Sequence, residues 1–281
     1  MHPDDFQHFA GLLRTRLGIE IGIDKAYLVE SRLKGIAGTA GYRNVGELLA
    51  QLRRGAEPRL LASTLDAMTT NETFFFRDGT PFDQLRAALP DLVKGRMGAP
   101  LRIWCAACST GQEPYSVAML LDEEGGKIPG LRAEIVATDV SQRVIEKARA
   151  GVYSAFEVQR GLSIQRLARH FEADPGGYRI KPALKRDISW RTANLLGPFV
   201  DLGMFDVIFC RNVLIYFARE TRADILNRLA DRLREGGRLF LGAAETPLGL
   251  TDRLTASPAG AAGGFQIAQA APGQRRAFAA R

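Results

Sequence analysis

The chain has 281 residues, 46% of them hydrophobic and 25% charged, which is enough for one large globular domain or two modest ones. Lysine and arginine number 38 against 31 aspartates and glutamates, a mild excess of +7. No apolar run is long enough for a membrane span, the acidic start MHPDDFQHF lacks the features of an export signal, and three cysteines build no disulfide framework, so a cytoplasmic protein is expected.

Helical spacing comes first. Phe6, Phe9, Leu13 and Leu17 share one face of a helix that begins near Asp5, and Gly18 ends it. Asp24 is placed to cap a second helix carrying Tyr27, Leu28 and Leu33. Asn44 followed by Glu47 forms an Asx version of the capping box ahead of Leu48, Leu49 and Leu52. Pro58 suits the first turn of a helix through Leu60, Leu61, Leu65 and Met68. Residues 1–78 therefore read as an all-α domain with its linker.

The pattern changes after Asp78. Thr80-Pro81 starts a helix to about Val93, and LRIWCAA (101–107) is an apolar strand. A helix over Tyr115–Glu124, the strand AEIVATD (133–139) and a helix capped by Ser141 follow. Later come the strand FDVIFC (205–210), a long helix from about Glu220 to Arg234 closed by Gly236-Gly237, and the strand RLFLGA (238–243). This alternation predicts an α/β domain over 79–270 with a buried parallel sheet covered on both faces. Within it, residues 151–194 read as a small inserted subdomain with a hairpin, YRIKP then DISWR, on the sheet's edge. FQIA (265–268) is a candidate last strand, and residues 271–281 are expected to be a disordered tail.

The same 149–191 stretch carries nine lysines and arginines, which reads as a solvated basic surface or a docking face for an acidic partner. Aromatics are not interleaved with these arginines as a base-stacking platform requires, so nucleic acid is discounted.

In open parallel sheets, ligands bind beyond the carboxyl ends of the strands. Three polar clusters fall there: Cys105-Ala-Ala-Cys108-Ser-Thr-Gly111-Gln-Glu113, Thr138-Asp139, and Arg211-Asn212 with Tyr216. Asp139 is placed to accept ribose hydroxyls, or else simply to stabilise a helix N-terminus. The first turn has a single glycine and carries Glu113, which argues against NAD, FAD and ATP. It favours a nucleoside with a cationic tail, such as S-adenosylmethionine, with Glu113 against the ammonium. Cys105 and Cys108 read as small apolar side chains, since a zinc site has no further ligands at suitable spacing. The segment Thr69–Asp78 holds three consecutive phenylalanines, a domain-packing plug flanked by Asn71, Thr73 and Arg77.

Six blocks, TTNETFFFRD, WCAACSTGQEPYSVAMLL, VATDVS, FEVQRGLSIQRLARHF, NLL and FDVIFCRNVLIYF, resemble in order and spacing the chemotaxis receptor glutamate methyltransferases, the CheR family. The resemblance spans roughly residues 5–245. It implies a helical domain joined to an S-adenosylmethionine-dependent, Rossmann-like methyltransferase domain with a small β insertion. The implied reaction forms methyl esters on glutamates of methyl-accepting chemotaxis receptors, and the implied partner is a receptor's cytoplasmic domain, with the enzyme a monomer. Matched residue by residue, the family pattern puts the cofactor against Asn71, Thr73, Arg77, Glu113, Asp139, Asn194, Leu195, Arg211 and Asn212. It puts Arg77 and Tyr216 at the reacting centre and a basic second helix with Lys25, Arg32 and Lys34 against the receptor. The insertion is short, as in members that do not grip a receptor's C-terminal peptide. The sequence departs from the pattern at Gly242-Ala-Ala-Glu245, where Gly-His-Ser-Glu is usual. Two other functions are weighed against this one. A nucleic-acid amine methyltransferase is disfavoured because Arg211-Asn-Val-Leu-Ile-Tyr216 lacks the Asn-Pro-Pro-Tyr such enzymes often carry. A binding module without catalysis would take the cofactor and methylate nothing.

Overall fold

The structure, a computed structural model, describes residues 1–94, 96, 98–257 and 264–268. The expected tail, 271–281, lies outside the described residues. Among those residues, no helix is long and apolar enough to cross a membrane.

Four helices open the chain: α1 (Pro3–Leu17), α2 (Ala26–Thr39), α3 (Val45–Arg54) and α4 (Pro58–Met68). They close over a core of their own that includes Phe6, Phe9, Leu13, Leu33, Leu48 and Leu49. Gly18, with φ 70°, ends α1 by donating its N–H to the Arg14 carbonyl. Asn44 caps α3 by accepting from Glu47 N at 3.0 Å, while Glu47 bonds Arg43 N, one residue before the cap. Asp24 does not cap α2. It lies inside a 3-10 turn, Ile23–Lys25, whose bonds already use the N–H groups of Lys25 and Ala26, so no side-chain cap is needed.

The second domain runs α5 (Thr80–Lys94), β1 (Leu101–Ala106), α6 (Gln112–Gly125), β2 (Ala133–Asp139), α7 (Gln142–Ala150), β3 (Val152–Tyr153), α8 (Ala155–Gln159), α9 (Ile164–His170), β4 (Phe171–Asp174) and β5 (Gly177–Ile180). It continues with α10 (Pro182–Lys185), β6 (Ile188–Thr192), β7 (Phe205–Cys210), α11 (Arg219–Ala230), β8 (Leu233–Leu241), β9 (Leu254–Ala256) and β10 (Phe265–Ile267). Seven strands form one sheet in the order β6-β2-β1-β7-β8-β10-β9. The first five are parallel, and β10 and β9 add antiparallel at one edge. One face packs on Phe82, Leu85, Tyr115, Val117 and Ile145, the other on Phe199, Ile225, Leu226 and Leu229. The chain leaves β1 toward β2 and later returns to its other side as β7. The strand order therefore reverses at β1, and the ligand crevice of such sheets lies there.

Three expectations change. DISWR is not a hairpin arm: it is β6, parallel to β2 in the main sheet, with Ile188 opposite Ile135 and Thr192 opposite Asp139. The hairpin is instead β4–β5, joined by β3 into a three-stranded antiparallel sheet. The helix expected to reach Arg234 stops at Ala230, because Leu233 already pairs with Phe205. Gly236-Gly237 then serve a register shift inside β8 rather than a helix end. Gly236 has φ 76°, and a Cβ on Gly237 would lie 2.8 Å from the Asp206 carbonyl oxygen. Helix α6 starts at Gln112, directly after left-handed Gly111, three residues before the expected start.

Candidate active site

A cavity of about 250 Å³ opens where the helical domain meets the carboxyl ends of β1, β2 and β7. All ten residues singled out in the sequence line it. Asn71, Thr73 and Arg77 come from the linker, Glu113 from the first turn of α6, and Asp139 from the end of β2. Asn194 and Leu195 follow β6, while Arg211, Asn212 and Tyr216 follow β7.

The linker is held by its aromatics and by its backbone. Phe75 is fully buried and meets Tyr153 and Phe171 edge-on at 5.0 and 5.6 Å. Phe74 and Phe76 are only partly buried: Arg160 lies 4.9 Å from the Phe74 ring and Arg166 3.7 Å from the Phe76 ring. The hydroxyl of Ser109 donates to the Asn71 carbonyl at 2.8 Å, which ties the linker to the β1 turn. The Arg77 side chain donates to the Glu72 carbonyl at 2.9 Å, and among the described residues it joins no ion pair. Glu72 is taken by Arg160 at 2.6 Å and Asp78 by Arg211 at 2.7 Å, so the salt link that would make Arg77 a domain bridge does not form.

Arg211 is the buried hub of the site. It donates to Glu113 at 3.0 Å, to the Arg77 carbonyl at 2.8 Å and to Asp78 at 2.7 Å. Burial pushes the Glu113 carboxyl up, and the Arg211 charge holds it back. Glu113 therefore enters the site already paired on one oxygen. Asp139 is 6% exposed, and its two oxygens accept from Ser109 N at 2.8 Å and Ser141 N at 3.0 Å. Burial raises its pKa as well, against the pull of those two N–H groups. Two donors leave lone pairs on both oxygens for further partners.

Tyr216 ends a 3-10 turn, Leu214–Tyr216, and is 37% exposed, so it is no core aromatic. The five non-glycine residues with left-handed backbone among the described residues are Phe76, Asp78, Ala107, Ser109 and Asn212. All lie in the linker or in the turns after β1 and β7, the three segments that converge on the cavity. The thiols of Cys105, Cys108 and Cys210 are buried, and that burial pushes them well above their ordinary range.

The helical domain supplies a wall that periodicity did not announce. Ile19, Ile21, Leu28 and Met68 line the cavity, as do Lys25 and Arg32. Arg32 is not part of an outward basic face: it donates to the Met68 carbonyl at 2.6 Å and to Thr70 Oγ1 at 3.0 Å, strapping α2 to the linker. Asn194 donates to the Arg16 carbonyl at 2.6 Å, and Ile19 bridges Phe217 across the two domains. The departing Ala243 and Ala244 are exposed and do not line the cavity, so the departure removes none of its contacts.

Two carboxylates that accept hydrogen bonds and one arginine in no ion pair among the described residues suit a nucleoside that carries hydroxyl, ammonium and carboxylate groups. Comparison with known proteins agrees. Residues 4–69 match the CheR methyltransferase all-alpha domain, and residues 71–261 match the CheR methyltransferase SAM binding domain. The chain is 44% identical over 276 residues to chemotaxis protein methyltransferase 1 of Pseudomonas aeruginosa, covering 96% of both chains. It is 42% identical over 276 residues to chemotaxis protein methyltransferase Cher2 of Pseudomonas putida, again with 96% of each covered. The chemotaxis protein methyltransferase of Salmonella typhimurium is 36% identical over 245 residues, 85% of this chain and 83% of the relative. An all-α domain, a parallel sheet with a small antiparallel one beside it, and these matches over nearly the whole length together make the chain a member of the CheR methyltransferase family.

Proposed function

We propose that the protein transfers a methyl group from S-adenosylmethionine to glutamate side chains of methyl-accepting chemotaxis receptors in the cytoplasm, forming glutamate methyl esters for signalling adaptation. The observation that carries this reading is the convergence of all ten expected site residues on one cavity.

The side chains fit the cofactor. Asp139 would hold the ribose hydroxyls, as a carboxylate at that strand end does in related nucleotide sites. Glu113, kept in place by Arg211, would take the ammonium, while Asn71, Thr73, Asn194, Leu195 and Asn212 shape the remaining wall. When bound, the cofactor supplies a methyl group on a sulfonium, an activated leaving group. The protein's own work is alignment and electrostatics. A glutamate carboxylate has an ordinary pKa of about 4.3, so at neutral pH the acceptor is already ionised and no general base is required. That fits a cavity with no histidine in its wall. Arg77, with no carboxylate partner among the described residues, positions the acceptor carboxylate through its planar fork. Tyr216 lies at the same opening and orients the sulfonium.

Incubation with methyl-labelled cofactor and receptor cytoplasmic fragments tests the reading. Label that enters the receptor and is released by mild alkali, as a glutamyl ester is, supports it. Cofactor binding with no transfer to any receptor fragment, or alkali-stable label, contradicts it.

A further inference from the structure

Glu245 has no part in the chemistry above. The sequence marks it only as the end of the departing Gly242-Ala-Ala-Glu245 segment. Its carboxylate nevertheless gathers five backbone N–H groups. Oε1 accepts from Val213 at 2.9 Å, Leu214 at 2.7 Å and Ile215 at 3.3 Å. Oε2 accepts from Asn212 at 2.8 Å and from Gly242 at 2.7 Å. Four of these donors are consecutive and form the turn that carries Asn212 and Tyr216 to the cavity.

That turn needs an anchor. Asn212 is left-handed, with φ 58°, and the leading N–H groups of the Leu214–Tyr216 turn have no helix carbonyl to bond. Gly242 leaves the space in which the carboxylate sits: a Cβ there would lie 2.7 Å from both Glu245 Oε2 and Asn212 Nδ2. A carboxylate suits this nest because both oxygens are acceptors only. An amide in its place would turn a donor toward N–H groups, and aspartate is one methylene short.

We propose that Glu245 is a positioning residue for methyl transfer, holding the 212–215 turn in the conformation that presents Asn212 to the cofactor and Tyr216 to the reacting centre. This rests on the site reading given above.

The test uses the full chain carrying Glu245→Gln or Glu245→Asp. It measures hydrogen exchange of the 212–215 amides, calorimetric affinity for S-adenosylhomocysteine, and turnover at saturating cofactor per folded molecule. In Glu245→Gln those four amides lose protection while the β7 amides keep theirs, and turnover falls by a factor of about ten or more, as expected when a reacting group is misplaced. Glu245→Asp falls between this variant and the parent. Unchanged amide protection overturns the inference. So does a lower melting temperature with turnover per folded molecule intact, which would make Glu245 a structural stitch. If Glu245→Gln does not fold, Glu245→Asp carries the same comparison, and failure of both assigns the carboxylate to stability and overturns the positioning role. Asp139→Ala is run alongside. If Asp139→Ala leaves cofactor affinity unchanged, the site reading itself fails. If Asp139→Ala is impaired while Glu245→Gln turns over normally, only the Glu245 inference fails.

Discussion

Arg77 and Asp139 carry opposite charges into the same cavity and answer to different measurements. Among the described residues Arg77 bonds one backbone carbonyl and no carboxylate, so removing it leaves no buried charge there unpaired. Arg77→Ala is expected to lower turnover by about 100-fold or more, since misplacing a reacting group has costs of that order. The melting temperature should change little. Lysine should rescue poorly, because a point charge cannot reproduce a two-pronged contact. Near-normal turnover with early melting would make Arg77 a structural residue instead. Asp139→Ala should weaken cofactor binding at least tenfold by calorimetry, since a hydrogen bond to a charged group contributes about 1.5–3 kcal/mol. Its effect on stability also has a defined pH dependence. Burial raises the Asp139 pKa in the folded state, so its contribution to stability is fully present below the unfolded value and is lost as pH rises through the folded one. The stability of Asp139→Ala relative to the parent should therefore improve with rising pH across that window in thermal melts, and a decline across it would contradict the assignment. At this scale part of the cavity wall was legible. Asp139, Glu113 and Arg211 follow apolar strands whose ends define a ligand crevice. Arg32 was not legible as a cavity residue, because its strap to Met68 and Thr70 depends on how two domains meet.

The small antiparallel sheet and the linker are held as one unit. Gly161, in the turn between α8 and α9, has φ 87°, and a Cβ there would lie 1.8 Å from the Phe75 carbonyl oxygen. Gly161→Ala is therefore expected to destabilise the protein by more than about 1 kcal/mol and lower the melting temperature by several degrees. Melting at the parent temperature would show that the linker yields freely. Central strands were legible to the residue: β7 is buried along its whole length and β2 over its last five residues. The edge strand β6 was not, since only Ile188 of its five residues is fully buried and its half-exposed pattern resembles a hairpin arm. Strands of two and three residues, β3 and β9, are too short to show any period. Gly236-Gly237 read as a helix stop, because sequence alone does not separate that use of paired glycines from a shift of register inside a strand.

Across the whole molecule, the cavity belongs to neither domain alone. Gly18 leaves room for Phe217, whose ring would lie 2.5 Å from a Cβ at that position. Asp66 on α4 pairs with Arg143 on α7 at 2.8 Å, and Asn194 reaches back to α1. None of these contacts follows from local periodicity, so the two-domain order was legible while the wall supplied by the helical domain was not. Methyl transfer is assigned to this inter-domain cavity. A crystal structure of the protein with S-adenosylhomocysteine tests it most directly. The ribose hydroxyls are expected on Asp139, the amino-acid end beside Glu113, and the sulfur facing Arg77 and Tyr216. A ligand bound outside this cavity, or one whose ribose does not touch Asp139, would contradict it.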